Sequence, residues 1–226
     1  MAKNKIEHFA DMKTMNFVFE PLLDTLQSDT FSMKGKWSKE FFKNDNPIIV
    51  ELGCGKGEYT VELAKKYPNK NYIGIDVKGA RIWYGADTVR SLEMKNAGFV
   101  RIRIDFLKTI FAESEIDEIW LTFSDPQKEK PRKRLTSKMF MDRFKHVLKP
   151  NGIIHLKTDS DILFESTEEQ IKEYNYKCDN STWDLYGSDY WDNLTEEEQS
   201  ILGIKTVYEK IFTEKGSVIK YCQIQF

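Results

Sequence analysis

One stretch close to residue 50 restricts the possible folds of this chain more than any other. Residues 47 to 53, PIIVELG, form a short apolar run that ends at glycine, which is typical of a strand covered on both faces. Two further glycines follow at alternate positions, and from Thr60 to Tyr67 apolar residues recur with helical spacing until Pro68. The sequence therefore predicts a strand, a glycine loop and a helix in immediate succession.

The same unit repeats along the next hundred residues. Strands are predicted at 71 to 76, 99 to 105, 117 to 123 and 153 to 158, and helices at 78 to 96, about 140 to 148 and about 160 to 174. Alternating strands and helices form a parallel sheet with right-handed crossovers, so we expect an α/β domain with helices on both faces of its sheet.

The two ends of the chain depart from this alternation. Residues 205 to 213 and 217 to 226 flank the tripeptide EKG and predict an antiparallel hairpin at the sheet edge, which brings a mostly parallel sheet to seven strands. Residues 1 to 46 have no clean periodicity and are expected to form an N-terminal arm or capping segment. Residues 47 to 226 are expected to form a single domain.

Composition argues against several classes of protein. The 34 basic and 36 acidic residues give a formal charge of −2, so any affinity for a polyanion has to come from local clusters. Cys54, Cys178 and Cys222 are far apart and lack metal-ligand spacing, which favours reduced thiols and no bound metal. No apolar run approaches the length of a membrane span and the N-terminus lacks a signal-peptide core, so we expect a cytoplasmic protein without membrane contact.

The glycine loop differs from a dinucleotide site by an acid at one glycine position and another acid just before the loop. Gly53, Gly55 and Gly57 are spaced G-x-G-x-G, and Glu58 occupies the third-glycine position of the dinucleotide fingerprint. Glu51 lies two residues before the first glycine, where a carboxylate repels pyrophosphate and attracts a cation such as the amino group or sulfonium of S-adenosylmethionine. Glycine allows close backbone approach to such a ligand, and the following helix N-terminus offers free N–H donors.

Acids also end the next two predicted strands. Asp76 suits a pair of ribose hydroxyls and Asp105 the amino group of adenine, because ligands of open α/β sheets bind at the carboxyl ends of the strands. The alternative is that these glycines only make turns and these acids only cap helices. The combination resembles the class I methyltransferases, which have a Rossmann-like fold and use S-adenosylmethionine as cofactor.

A basic segment follows the fourth predicted strand. Asp125 ends that strand and Pro126 fixes the turn after it. The cations that follow are Lys128, Lys130, Arg132, Lys133, Arg134 and Lys138, against Glu129 alone. In isolation, a basic run is usually a solvated surface, and Asp125 could cap the next helix. At the ligand-binding edge of a cofactor fold, the segment instead predicts a site for a polyanionic substrate.

The residues FSDPQKEKPRKRL look like the F-P-D-P-W-x-K-x-R-H-x-K-R-R segment of the bacterial tRNA (guanine-N7)-methyltransferases. The similarity extends from Glu51 almost to the end of the chain, through GID, RID, LKPNG, KTDS and TVYEK. It implies methylation of a guanine in the variable loop of tRNA, with Asp125 as catalytic residue. It places the cofactor beside Glu51, Gly53, Gly55, Gly57, Asp76, Asp105 and Asp125, and the substrate beside Lys128, Lys130, Arg132, Lys133, Arg134, Asp159, Thr206 and Glu209.

Two departures from the family pattern concern the basic segment. The family lysine four places after the catalytic acid falls on Glu129, so that Lys130 or Lys128 replaces it, and the tryptophan after D-P is Gln127. Residues 183 to 191 are rich in tyrosine and tryptophan, and these rings either stack on RNA or, as is commoner, pack a long loop onto the sheet.

The sequence leaves other functions open at this point. It is also compatible with both a monomer and a homodimer. A class I methyltransferase acting on a small molecule or a protein would have the same cofactor half. A non-catalytic RNA-binding protein of the same fold is compatible with Glu129 and with the length of the basic segment, which is about two residues shorter than the common form of the family. A nicotinamide-dependent oxidoreductase is disfavoured by Glu58.

Overall fold

The computed structural model describes residues 2–187 and 189–226; Met1, in the predicted arm, and Ser188, in the aromatic stretch, lie outside the described residues. The described strands are β1 (Val18–Phe19), β2 (Ile48–Leu52), β3 (Asn71–Asp76), β4 (Ala97–Arg101), β5 (Ile116–Thr122), β6 (Leu148–Thr158), β7 (Ser181–Thr182) and β8 (Lys220–Ile224). They form one sheet in the order β1-β4-β3-β2-β5-β6-β8-β7.

The described α-helices are α1 (Ala2–Met12), α2 (Leu23–Gln27), α3 (Glu58–Lys66), α4 (Gly79–Ser91), α5 (Leu107–Ile110), α6 (Lys138–Val147), α7 (Asp161–Glu173), α8 (Asp189–Asp192), α9 (Glu196–Leu202) and α10 (Val207–Glu214). A π-helix spans Trp37–Phe42, and 3-10 turns span Ile104–Phe106 and Pro131–Lys133. Among these elements, no helix is long and apolar enough to cross a membrane.

The strand order reverses between β2 and β5. From β2 the chain moves outward through β3 and β4, and it then returns to add β5 and β6 on the other side of β2, all in parallel. The loops after β2 and β5 therefore diverge at the carboxyl end of the sheet and leave a crevice between them, which is where open α/β sheets bind ligands.

The sheet is covered on both faces, as predicted. Alternate residues of β2 enter different apolar clusters, with Val50 on the face of α5, α6 and α7 and Ile49 on the face of α3, α4 and α9. This alternation explains why β2 is apolar at every position except Glu51: each of its residues, whichever way it points, is buried.

Residues 2–46 pack mainly at the end of the sheet where β4 lies. Strand β1 pairs in parallel with β4, and Asp11 of α1 accepts hydrogen bonds from Trp83 Nε1 (2.6 Å) and Arg90 Nη1 (2.8 Å) of α4. Trp37 is fully buried and donates its Nε1–H to the carbonyl of Ile110 at 3.0 Å.

The predicted C-terminal hairpin is wrong, and the sheet has eight described strands rather than seven. Residues 207–214 form helix α10, capped by the hydroxyl of Thr206, which accepts from Glu209 N at 3.1 Å. The antiparallel neighbours of β8 are β6 and the two-residue β7. The β-branched and aromatic residues of TVYEKIF suggested a strand, but buried tertiary contacts of Glu209 hold this segment as a helix.

Candidate active site

A cavity of about 1280 Å³ opens at the carboxyl ends of the central strands, at the point where the strand order reverses. Its walls come from the loops that follow β2 to β6 and from α10. Of the described residues lining it, seven carry carboxylates and seven are lysine or arginine. The cavity therefore suits a ligand set with both cationic and anionic groups better than a ligand of one charge.

The glycine loop leaves its backbone open on the cavity side. Gly53 and Gly55 have φ values of +81° and +55°, and a Cβ added at either would meet no atom within 4 Å. Gly57, at φ +72°, is different because a Cβ there would lie 2.6 Å from the ring of Phe99. Two of the three glycines thus give a ligand access to the backbone, and the third lets the loop pack on the sheet.

Glu51 lies behind this loop and lines the cavity although it is 4% exposed. One carboxylate oxygen accepts from Thr60 N (2.9 Å) and Thr60 Oγ1 (2.5 Å), and the other from Thr122 Oγ1 (2.6 Å). Burial raises the pKa of Glu51 to about 7, against the lowering effect of these hydrogen bonds. The side chain is therefore poised between its neutral and ionised forms at neutral pH.

Asp76 and Asp105 occupy the next two loops. The carboxylate of Asp76 accepts from Gly55 N (3.0 Å) and Lys78 N (2.7 Å), so it braces the glycine loop at the cavity edge. Asp105 lies in the 3-10 turn Ile104–Phe106, because β4 ends at Arg101 and not at 105 as predicted. Its carboxylate is 2.9 Å from a guanidinium nitrogen of Arg103.

Asp125 follows β5 on the opposite wall of the cavity. Its carboxylate accepts from Gln127 N at 2.9 Å and does not cap a helix. Phe123 and Gln127 have φ values of +50° and +46°, which non-glycine residues rarely adopt. Ser124 Oγ is buried beside them and has no hydrogen-bond partner among the described residues. This strained turn is the kind of backbone found at functional sites.

The basic segment divides between the cavity and its surroundings. Lys128, Arg132 and Lys133 line the cavity and are exposed. Lys130 is exposed but does not line it, and Arg134 is buried, with Nε donating to the carbonyl of Pro126 at 2.9 Å. Arg134 therefore supports the turn after Asp125, a role that the charge pattern did not reveal.

Helix α10 closes the side of the cavity that carries Asp125. Thr206, Tyr208 and Phe212 line it, and the rings of Tyr208 and Phe212 stack with centroids 6.2 Å apart. Arg81 of α4 lies over the Tyr208 ring at 5.4 Å, so that α10 reaches across to the glycine-loop side. Asp159, after β6, also lines the cavity, and burial raises its pKa.

Glu209, predicted to bind substrate, does not line the cavity. It is fully buried and forms an ion pair with Lys157 of β6, with Oε2 and Nζ 2.9 Å apart. Lys157 belongs to the KTD sequence, from which only the acid was predicted to have a role. Sequence reasoning also missed the aromatic side chains of α10, because it read this segment as a strand.

The aromatic stretch packs onto the sheet, which is the commoner of the two arrangements predicted for it. Tyr186, Tyr190 and Trp191 are partly buried against the apolar cluster on the α3 and α4 face. Cys54, in the glycine loop, is buried, and burial raises the pKa of its thiol, which disfavours the nucleophilic thiolate form. The described residues contain no cluster of three or more metal-ligating side chains.

Residues 45–217 match a protein-family model described as "Putative methyltransferase". The chain is 52% identical to the tRNA (guanine-N(7)-)-methyltransferase of Bacteroides fragilis, covering 98% of this chain and 85% of that protein. It is 42% identical to the protein of the same name from Christiangramia forsetii, over 99% and 98% of the two chains. A third protein of that name, from Streptococcus pneumoniae, is 38% identical over 85% and 87%.

Solved structures share the fold at low sequence identity. The 16S rRNA methyltransferase KamB superposes with a TM-score of 0.61 at 12% identity, covering 82% of this chain and 90% of that one. The aminoglycoside resistance methyltransferase NpmB1 gives a TM-score of 0.54 at 13% identity, over 86% and 94% of the two chains. These likenesses establish the Rossmann-like methyltransferase fold.

Proposed function

Since this chain belongs to the tRNA (guanine-N(7)-)-methyltransferase family, we propose that it transfers a methyl group from S-adenosylmethionine to N7 of a guanine in tRNA. One observation carries the proposal. A single cavity connects the open glycine loop and Asp76 on one wall with Asp125 and its basic segment on the other. A methyl donor and a polyanionic acceptor can therefore meet inside it.

The residues on the glycine-loop wall fit the donor. Gly53 and Gly55 leave free space where side chains would stand, and the carboxylates of Glu51 and Asp76 face a ligand with cationic and hydroxyl groups. S-adenosylmethionine supplies a methyl group activated by a positively charged sulfur. A cation beside Glu51 favours its ionised form, while Asp76 has the acceptor capacity for ribose and Asp105 for the adenine amino group.

The acceptor chemistry asks little of the protein beyond position and charge. N7 of guanine is an unprotonated lone-pair acceptor, so no strong general base is needed. The exposed carboxylate of Asp125 can accept from N1–H or the N2 amine of the guanine. That contact holds the base and favours the positive charge that develops on it as N7 is alkylated.

The remaining residues of this wall suit RNA. Lys128, Arg132 and Lys133 would hold phosphates, which sets the register of the tRNA without reading its sequence. Lys130 is exposed nearby and is a fourth phosphate ligand in this proposal. A base has to leave its stack to enter such a cavity, which favours a guanine in a loop, and the family resemblance implies the variable loop. Asp159 and Thr206 line the cavity where that base would lie.

Nucleoside analysis tests the proposal directly. Purified protein is incubated with S-adenosylmethionine and undermodified tRNA, and the digested tRNA is examined by mass spectrometry. We expect 7-methylguanosine at one position in the variable loop. Methyl transfer to proteins or small molecules without any to tRNA would favour the rival substrate class, and binding of tRNA without transfer would favour the non-catalytic alternative. Transfer to tRNA would also agree with the expected cytoplasmic location.

A further inference from the structure

The Asp125 turn, the Asp159 loop and α10 form one wall of the cavity, here called the acceptor wall. A buried ion pair lies directly behind it. Lys157 and Glu209 are both 0% exposed and come from β6 and α10. Lys157 Nζ also donates to the carbonyls of Leu202 (2.6 Å) and Ile204 (3.0 Å), and lies 3.0 Å from the hydroxyl of Tyr186. That hydroxyl donates to Glu209 Oε1 at 2.5 Å. Both charges are thus fully hydrogen-bonded away from solvent.

The pair holds together the elements that shape the acceptor wall. Glu209 is in the first turn of α10, whose Thr206, Tyr208 and Phe212 line the cavity. The carbonyl of Lys157 accepts from Phe123 N at 2.9 Å, which fixes the strained turn that carries Asp125. Lys157 also lies two residues before Asp159. Lys157 therefore contacts α10 through its side chain and the Asp125 turn through its backbone carbonyl, two residues before the Asp159 loop.

Neither member of the pair reaches the cavity itself. Neither Glu209 nor Lys157 lines it, and both carboxylate oxygens of Glu209 already have partners within the protein. An unpaired charge at this depth is strongly unfavourable, so each member needs the other to stay in place. The geometry is that of a fixed support and not of a ligand site.

We propose that Lys157 and Glu209 form a positioning pair that holds α10 in place against the cavity, and that Glu209 acts on methyl transfer through this pair rather than by touching the RNA. The inference rests on the proposed function and deepens it. It changes the role of Glu209 from a substrate ligand to a positioning residue, and it gives Lys157 a role in tRNA methylation.

The test compares Glu209→Gln, Lys157→Met and the double variant Lys157→Met/Glu209→Gln with the wild-type protein. Each single variant is expected to lower kcat/KM for tRNA at least ten-fold and to speed amide hydrogen exchange in residues 207–214. The dissociation constant of S-adenosylmethionine should stay within two-fold, and its titration also counts the correctly folded sites. Residues that act as one unit are not additive, so the double variant should be no worse than the poorer single variant.

His155→Phe is the matched control, because His155 is buried on the same face of β6, two residues before Lys157, and contacts Trp120 and Tyr221. It should keep kcat/KM for tRNA within two-fold. Multiplication of the two single defects in the double variant would overturn the proposal and favour direct contact by Glu209. An equal defect in His155→Phe, or unchanged exchange in α10, would overturn it as well. If wild-type protein does not methylate tRNA, the proposed function fails, whereas hydrogen exchange and donor titration still decide the role of the pair.

Discussion

The two walls of the cavity are built in different ways. On the donor wall, formed by the loops after β2, β3 and β4, most of the described bonds join residues close in sequence. Glu51 and Thr60 are 9 residues apart and Gly55 and Asp76 are 21 apart, whereas Glu51 also accepts from Thr122 of β5 across 71 residues. On the acceptor wall, formed by the Asp125 turn, the Asp159 loop and α10, Lys157 reaches Glu209 across 52 residues. The backbone N–H of Val207 reaches Glu58 across 149.

This difference separates what each wall requires from the chain. The donor site, a glycine turn with strand-end acids, is built mainly on three neighbouring strands, β2, β3 and β4. The acceptor wall needs α10, which is held by contacts with parts of the chain that are distant in sequence. Damage to the donor wall should therefore stay local, and damage to the acceptor wall should spread among its elements.

The largest expected effect concerns Asp125, on the acceptor wall. We expect Asp125→Ala to lower the single-turnover rate of methyl transfer about 10²- to 10³-fold, since it removes one charge that favours the developing cation. Because the carboxylate of Asp125 bonds only its own turn among the described residues, the donor dissociation constant should change less than three-fold. A rate within a factor of two of wild type would show that Asp125 has no catalytic role.

Substitutions in the glycine loop should separate packing from binding within the donor wall. Gly57→Ala should cost about 3 kcal/mol of unfolding free energy, because it combines a left-handed φ with a clash against Phe99. Gly55→Ala has the same backbone problem without the clash and should cost about 1 kcal/mol while placing a methyl group in the cavity. Urea unfolding measures the first effect and donor calorimetry the second. Equal stability of the two variants would contradict the assignment.

The pKa of Glu51 predicts a pH dependence for the same wall. Burial raises this pKa from 4.5 to about 7, so the folded protein binds the proton more tightly than the unfolded chain does. Wild-type stability is therefore lost as the pH rises from about 4.5 through about 7. Glu51→Gln cannot ionise and should gain about 2 to 3 kcal/mol relative to wild type between pH 5 and pH 8. A constant difference across that range would refute the raised pKa.

Charge removal on the acceptor wall should act on tRNA alone. The variant Lys128→Gln/Arg132→Gln/Lys133→Gln is expected to weaken tRNA binding about thirty-fold. The slope of log K against log salt concentration, where K is the association constant for tRNA, should become less steep by about 2 to 3. Lys13→Gln/Lys108→Gln/Lys172→Gln removes three exposed lysines that do not line the cavity and is the matched control. Comparable loss in both variants would mean that the basic segment only contributes general charge.

How much of the molecule the sequence predicts follows the same division. Strands β2, β3 and β5 and the glycine loop were predicted to within about one residue, because apolar periodicity and glycine act over short distances, whereas β6 begins at Leu148, five residues before its predicted start. The strand predicted to reach Asp105 ends at Arg101, since the alternation in RIRID continues into a 3-10 turn. No local pattern showed that Arg134 is buried beneath the Asp125 turn or that Glu209 pairs with Lys157. Those contacts depend on tertiary packing, which also made a helix of the predicted hairpin strand.

In the proposed function, the two walls of the cavity serve different partners. The most direct test is to measure the affinities of Asp76→Asn for S-adenosylmethionine and for tRNA in the same buffer. Asp76 braces the glycine loop through Gly55 and does not contact the acceptor wall through any described hydrogen bond. We expect Asp76→Asn to bind S-adenosylmethionine about ten-fold more weakly than the wild-type protein and to bind tRNA with unchanged affinity. Unchanged donor affinity, or an equal loss for both partners, would contradict this expectation.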